Sequence, residues 1–263
     1  FRELSRVLAA RALVRAGEGR VEEALADAGA LFAMSRALRG QPFLVSQMVR
    51  CGLTESALLV LEGILPRAPS AIEALRQAEP DTLTGAVAAG LRGELVNVLS
   101  LLDPAVLAHY RAQSGIPGEF TPSRLGLPAF RTGAAACARL LSRLAAAPGD
   151  WAELARVAAV LEHEAPESGV FAPWVVSSTS TVRTLAQAET RLALARLAAL
   201  FLDHRRVAGS YPESLDDLPE ARDIRDPLTG KPFAMGRDGQ WLVLHNVDYG
   251  SEKRRVEWHL PGG

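Results

Sequence analysis

The residues able to do chemistry in this chain are scattered, and none of them assembles into a known reactive set. His163 and Glu164 sit in the run Leu-Glu-His-Glu-Ala-Pro-Glu. A zinc-binding helix needs a second histidine one turn away, and none is present. This pair reads as a solvated helix end. Ser177, Ser178 and Ser180 lack the Gly-x-Ser-x-Gly frame that exposes a nucleophilic serine, and read as a capping, turn-forming run. Gly90-Leu-Arg-Gly-Glu94 has neither a strand before it nor the Lys-Ser/Thr pair that a phosphate loop requires. His204-Arg205-Arg206 is a short basic cluster at the end of an expected helix. Cations there offset the negative end of the helix dipole. Asp216, Asp217, Glu220, Asp223 and Asp226 form an acidic stretch broken by Arg222 and Arg225, which reads as an exposed mixed-charge surface. Cys51 and Cys137 are the only two cysteines. They read as small buried apolar side chains, and a bridge between them stays open.

The elements that carry these residues are mostly helical. Over 263 residues, Ala, Leu and Arg dominate and aromatic residues are few. Lys+Arg total 29 against 30 Asp+Glu, a net charge of −1. That balance argues against a broad footprint for nucleic acid or anionic lipid. No run approaches the about 18 apolar residues of a membrane helix, so no span is expected in this chain. The chain starts at Phe1 and not at Met. It therefore reads as a processed product or an excised piece, with room for a signal or anchor upstream of Phe1.

Periodicity predicts helices over about residues 4–16, 21–38, 43–50 and 54–65, with turns at Gly17-Glu18-Gly19 and Cys51-Gly52. Gly-Arg-Val-Glu-Glu-Ala-Leu from Gly19 and Gly-Leu-Thr-Glu-Ser-Ala-Leu from Gly52 lie 33 residues apart. This is close to the tetratricopeptide period of about 34 residues. The two hairpins resemble tetratricopeptide units, although the signature Trp and Tyr positions and a clear third copy are absent. Further helices are expected from Ser70, over 85–102, after Asp103-Pro104, over 132–147, and from Asp150 to about Glu164. Residues 116–128 and 165–173 read as loops, the second as a hinge. A last long helix is expected over about 182–207, with an apolar face of Leu194, Leu197, Leu200 and Phe201. Leu185, Glu189, Leu192, Arg196, Ala199 and Asp203 are expected to form a mixed face.

After Gly209 the pattern changes. Tyr211-Pro212 leads into an expected short helix over about 213–218, stopped by Pro219. Asp226-Pro-Leu-Thr-Gly-Lys-Pro232 is dense in turn formers. Phe233 to Met235 and Trp241 to His245 read as strands joined across Arg237-Asp238-Gly239. Tyr211 and Trp241 are expected in the core of this part. Together, a long helix, Gly-x-Tyr-Pro-x-Ser-Leu-x-x-Leu, Asp-Pro-x-Thr-Gly-Lys-Pro-Phe and a two-stranded return resemble the C-terminal globular part of type II secretion major pseudopilins. They resemble still more closely large uncharacterised bacterial proteins that carry such a module behind a helical body. The resemblance covers about residues 181–250, roughly a quarter of the chain.

It implies a fold and a compartment, and no reaction. Major pseudopilins follow the final strand with a Ser-x-Gly-x-Asp-Gly loop that holds Ca²⁺. Here the matching stretch runs from His245 to Arg255. Gly250 survives, the ligand Asp falls on Tyr249, and Asp248 is displaced by one. Lys253, Arg254 and Arg255 follow and would repel a divalent ion. The expectation is therefore no metal and no cofactor, with Asn246, Asp248 and Glu252 as the ligands that remain. Val256 to Leu260 reads as an added strand able to pair with Trp241 to Leu244.

The resulting expectation is a mainly α protein. An all-helical, tetratricopeptide-like hairpin body spans residues 1–173. A small α+β pseudopilin-like module, long helix plus antiparallel sheet, spans 174–263. The expected role is a non-enzymatic, extracytoplasmic (periplasmic) bacterial component acting through protein partners in an envelope or secretion assembly. An intracellular helical-repeat adaptor is the alternative, and a hydrolase with an unrecognised site comes last.

Overall fold

The computed structural model describes residues 2–65, 70–77, 83–103, 105–106, 108, 127–147, 149–247 and 255–262. The protein is mainly helical, with a small three-stranded antiparallel sheet near its C-terminus. In chain order the helices are α1 (Arg2–Gly17), α2 (Val21–Ala37), α3 (Leu44–Ile64), α4 (Ser70–Gln77), α5 (Leu83–Ser100), α6 (Leu127–Ala145), α7 (Trp151–Glu164) and α8 (Ala172–Ala208). The strands are β1 (Ala234–Asp238), β2 (Trp241–His245) and β3 (Glu257–Pro261).

The chain folds as two compact units. One comprises Phe1–Arg39, Met48–Thr82 and Leu185–Gly263; the other comprises Gly40–Gln47 and Leu83–Thr184. The chain passes from one unit to the other within α8, between Thr184 and Leu185, and not at residue 173, where the composition changes. The first unit instead gathers the N-terminal helices and the sheet around one core.

Within that unit α1 and α2 form the expected hairpin. Gly19 adopts φ 80°, and its N–H reaches the Ala16 carbonyl at 3.2 Å while the Arg20 N–H reaches that of Arg15 at 2.8 Å. These two bonds satisfy the carbonyls that end α1, and the left-handed residue between them suits glycine. Asp27 on α2 is buried and faces two cations of α1. Arg11 reaches it through Nε at 3.1 Å and Nη2 at 2.5 Å, and Arg15 through Nη1 at 2.7 Å.

The second expected hairpin does not exist. α3 runs unbroken through Cys51-Gly52, so the 33-residue match does not mark a repeated hairpin. Glycine weakens a helix by only about 1 kcal/mol. Around it Cys51, Leu53, Ala57, Leu58, Leu61 and Ile64 are all buried, and their burial outweighs that loss. α3 is also, among the described residues, the one helix long and apolar enough to cross a membrane by length and composition. Half of its apolar stretch is buried inside the protein, and it carries Arg50, Glu55 and Glu62.

α8 confirms the unbroken helix over 182–207 and extends it ten residues toward the N-terminus, to Ala172. Pro173 is tolerated there because first-turn N–H groups have no helical partner. The Ser/Thr run does not cap the helix. Ser178 donates to the Trp174 carbonyl (2.9 Å), Thr181 to Ser177 (2.8 Å) and Thr184 to Ser180 (3.2 Å), so the hydroxyls are satisfied from inside the helix. The expected hinge is a 3-10 segment, Ala165–Phe171, with Ala165, Ser168 and Phe171 buried. It packs closely on α6: a Cβ at Gly133 would meet the Ser168 carbonyl oxygen at 2.7 Å.

Residues 185–202 of α8 are buried or half-buried on every side. Leu185, Leu192 and Ala199, expected on a mixed face, are as buried as Leu194, Leu197 and Phe201. Glu189, Arg196 and Asp203 on that same face are half-buried, so it is mixed in composition as expected, and a helix covered on every side is a core helix. Ala12, Ala24, Ala28, Leu58, Leu61 and Ile64 share its core, together with Leu218, Phe233, Leu242, Leu244, Trp258 and Leu260. Beyond the helix, the chain forms 3-10 turns at Leu215–Asp217 and Pro219–Ala221 instead of one short helix. The Ser214 hydroxyl accepts from the Asp216 N–H at 3.1 Å, and the Ser214 N–H donates to the Asp217 carboxylate at 2.8 Å. This capping starts the turn two residues later than Pro212 would.

The sheet order is β1-β2-β3, antiparallel throughout. Gly239, at φ 55°, makes the two-residue β1–β2 turn. The added strand is present: β3 pairs with β2, Leu244 opposite Trp258 and Leu242 opposite Leu260. Asp103 caps as expected, accepting from the Ala105 N–H at 2.8 Å. The body of that next helix and most of loop 116–128 lie outside the described residues.

Two outcomes follow. Leu197 is 1% exposed and Val207 is 80% exposed on the same helix. Leu197→Asp is expected to destabilise by about 4 kcal/mol, and Val207→Asp by under about 0.5 kcal/mol. Equal melting temperatures for the two variants would refute the buried face. Burial opposes ionisation of Asp27, but the Arg11 fork and then Arg15 outweigh it and hold the carboxyl below its ordinary value. A depressed folded value contributes stability that is present above the unfolded value of about 3.9 and lost as pH falls through the folded one. Asp27→Asn should therefore melt lower at neutral pH and show a shallower loss of stability under acid. Identical acid slopes for both proteins would remove Asp27 from this role.

Candidate functional site

The Asp226–Phe233 turn is held from its first residue. Asp226 is fully buried. Its carboxylate accepts from the Leu228 N–H (3.2 Å) and the Thr229 hydroxyl (2.8 Å), while its backbone N–H donates to the Lys231 carbonyl at 3.0 Å. Gly230, at φ 66°, returns its N–H to the Asp226 carbonyl at 2.8 Å. Thr190 of α8 places its hydroxyl 3.0 Å from Asp226 Oδ1 and 3.1 Å from the Ala186 carbonyl. The hydroxyl has one proton to give, and both the carboxylate and the carbonyl stand within hydrogen-bond distance of it. The turn is thus pinned to the central helix, and Asp226 belongs to the interior, not to the exposed acidic surface expected for it.

The basic cluster at the end of α8 is spent on structure. Arg205 donates to the Tyr211 hydroxyl (3.1 Å) and the Pro261 carbonyl (2.9 Å), and Tyr211 donates to the same carbonyl at 2.9 Å. The Arg205 guanidinium also lies 4.8 Å from the Tyr211 ring centre. His204 Nδ1 is 3.0 Å from the Ser210 carbonyl, and Arg206 faces Asp203 at 3.6 Å. Tyr211 packs against the core as expected. Trp241 does not: it is half-exposed and meets His259 edge-on, because the odd residues of β2 face away from Leu242 and Leu244.

A polar seam joins α3, α8 and β3. Glu62 accepts from Arg191 Nη2 at 2.8 Å and from the His259 backbone N–H at 3.0 Å. His259 stands between two carboxylates, Nδ1 at 3.4 Å from Glu62 and Nε2 at 3.5 Å from Glu257. Those nitrogens point to opposite sides of the ring, so the three groups do not converge on one ligand. Nearby, burial raises the Glu55 carboxyl and lowers the Arg50 and Arg196 guanidinium values. Sequence reasoning did not single out Glu62, Arg191 or Thr190. The available signal was a polar residue inside an otherwise apolar helical run.

Neither thiol is poised to react. Both cysteines are free and buried. Burial pushes Cys51 far above the ordinary thiol range and Cys137 up to about 12. A thiol nucleophile must ionise, and these stay protonated at neutral pH. His163 is exposed, and its neighbour Glu164 pairs with Arg143. Among the described residues, no group of three His, Cys, Asp or Glu side chains is placed to hold a metal ion.

Of the three expected calcium ligands, Asp248 and Glu252 lie outside the described residues. Asn246 is buried, and its Oδ1 already accepts from the Val256 N–H at 3.0 Å; its backbone N–H donates to the Val256 carbonyl at 3.3 Å. It clasps the start of β3 to the end of β2. No protein-family model matches the chain, and neither a curated protein nor a solved structure matches it.

Ca²⁺ needs six or more oxygen ligands, and recruiting Asn246 would break the clasp. Calorimetric titration of Ca²⁺ into the metal-free protein is expected to give no heat at micromolar affinity. A one-site isotherm that vanishes in Asp248→Ala would show that the loop holds an ion.

Proposed function

We propose that the protein is a non-enzymatic bacterial component of the cell envelope or of a secretion assembly, working outside the cytoplasm through protein partners. The observation that supports this reading is how the residues of the pseudopilin-like pattern are used. Tyr211, Ser214, Asp226, Thr229 and Gly230 each hold a turn, a cap or a strand end. Leu218 and Phe233 fill the core. Residues spent in this way build a rigid platform, and its output is the surface it presents. The protonated thiols and the contacts that hold His204 and His259 fit the same reading. The repeat-adaptor alternative leaned on two hairpins, and α3 removes the second.

Fractionation of cells carrying the full-length protein provides the test. The protein is expected with the periplasmic contents or the membrane fraction, and digestible by protease added to spheroplasts. Recovery with the cytoplasm, protected until the inner membrane is broken, would overturn the assignment.

A further inference from the structure

The sheet has two edges, and they are treated differently. Antiparallel pairing alternates residues that exchange ladder bonds with residues whose N–H and C=O point outward. On β3 the outward residues are Glu257, His259 and Pro261, since Asn246 and Val256 bond across at the open end. The protein covers the central and final groups. The His259 N–H goes to Glu62, the Pro261 carbonyl is taken by both Arg205 and Tyr211, and proline has no N–H.

β1 is the other edge. The two-residue turn makes Asp238 and Trp241 a bonded pair, so Gly236 and Ala234 also bond to β2. Met235 and Arg237 then direct their N–H and C=O outward. The Arg225–Pro232 bridge covers the chain just before the strand and stops there. Among the described residues, no group meets the outward amides of Met235 and Arg237, and no carboxylate pairs with the exposed Arg237 guanidinium. Proline, a bulge or a covering side chain would ordinarily close such an edge, and β1 has none within its span.

We infer that this edge takes an extended segment of a partner protein as a fourth strand. The inference rests on the protein-interaction reading above and names the kind of partner. Met235 and Arg237 share a face, opposite Leu244 and Leu242. Met235 packs on the core and Arg237 is exposed. A strand laid beside them sets every second side chain on that face. The fitting segment therefore carries an apolar residue beside Met235 and, two residues away, an aspartate or glutamate beside Arg237. A second copy fits less well. Pairing β1 with itself sets Arg237 against Met235 or against Arg237 of the other copy, leaving both guanidiniums unpaired or repelling.

The probe is a capped eight-residue peptide of alternating threonine and valine, with one aspartate two residues from a central valine. Its twin carries lysine instead. Titrated into the isotopically labelled full chain, the aspartate peptide should shift the Met235 and Arg237 amides and bind about fivefold tighter than its twin. Arg237→Glu should reverse that order. Arg237→Pro removes one outward N–H without touching the β1–β2 ladder. It should abolish binding while leaving the melting temperature nearly unchanged. The inference fails if neither peptide moves those amides at millimolar concentration, or if Arg237→Pro binds as well as the parent. It also fails if the amides are already covered by concentration-dependent dimerisation. Loss of peptide binding in a protein still recovered from the envelope would sink this edge and spare the wider reading.

Discussion

The structure of the first compact unit depends on one constraint: no residue of α8 from 185 to 202 is left exposed to water. Leu185, Leu192, Leu194, Leu197, Phe201 and Leu202 point in every direction around the axis, and all are buried. A helix of this kind must be covered on each side. The covering comes from opposite ends of the sequence, alanine-rich α1 and α2 with α3 on one hand, and the sheet with its preceding turns on the other. Alanine at positions 12, 24 and 28 lets neighbouring backbones approach, while Trp258 and Phe233 fill the wider space under the sheet. The core is therefore assembled from segments far apart in the chain, and a division by sequence position cuts through it.

Polar groups inside this unit follow from the same enclosure. Once α8 is surrounded, any polar atom on it or against it needs a partner at hand. Thr190 finds Asp226, Arg191 finds Glu62, and Arg205 finds Tyr211 and Pro261. Each pair ties the helix to a different covering element. Losing one partner would strand the other, so these contacts fix which covering arrangement is allowed more than they add net stability. That is why the pattern residues of the C-terminal module read as structure and not as chemistry.

Much of this was legible. The Gly19 turn, the cap at Asp150, the Gly239 hairpin and the added strand were each specified by a few adjacent residues, and local physics decided them. The failures share a cause: a weak local signal overruled by packing. Cys51-Gly52 looked like a turn because glycine is a poor helix former, yet burial on both sides carries α3 through it. Ser177 to Thr181 looked like a cap because hydroxyls favour helix starts, but the same hydroxyls can bond one turn back inside a helix. The segment 165–173 has loop composition, but the burial of Ala165, Ser168 and Phe171 and the close approach of Gly133 to Ser168 show that it is packed. Side-chain type alone places Trp241 in the core. The strand's alternation, counted from Leu242, places it on the other face.

The unequal edges of the sheet follow from where the covering elements run. α3 and the end of α8 both pass β3, so Glu62, Arg205 and Tyr211 reach its outward groups from existing positions. Among the described residues, nothing comparable borders β1 beyond the Arg225–Pro232 bridge. An open edge is a hazard, since it invites pairing with any extended chain. Two features limit that hazard here. β1 offers only two outward residues, too few to hold a strand by backbone bonds alone, and Arg237 adds a charge that penalises basic or self-complementary partners. A short edge with one unpaired cation selects among strands, whereas a long apolar edge would accept them all. In a module that spends Tyr211, Ser214, Asp226 and Thr229 on its own architecture, that selectivity gives the β1 edge a basis for specific recognition.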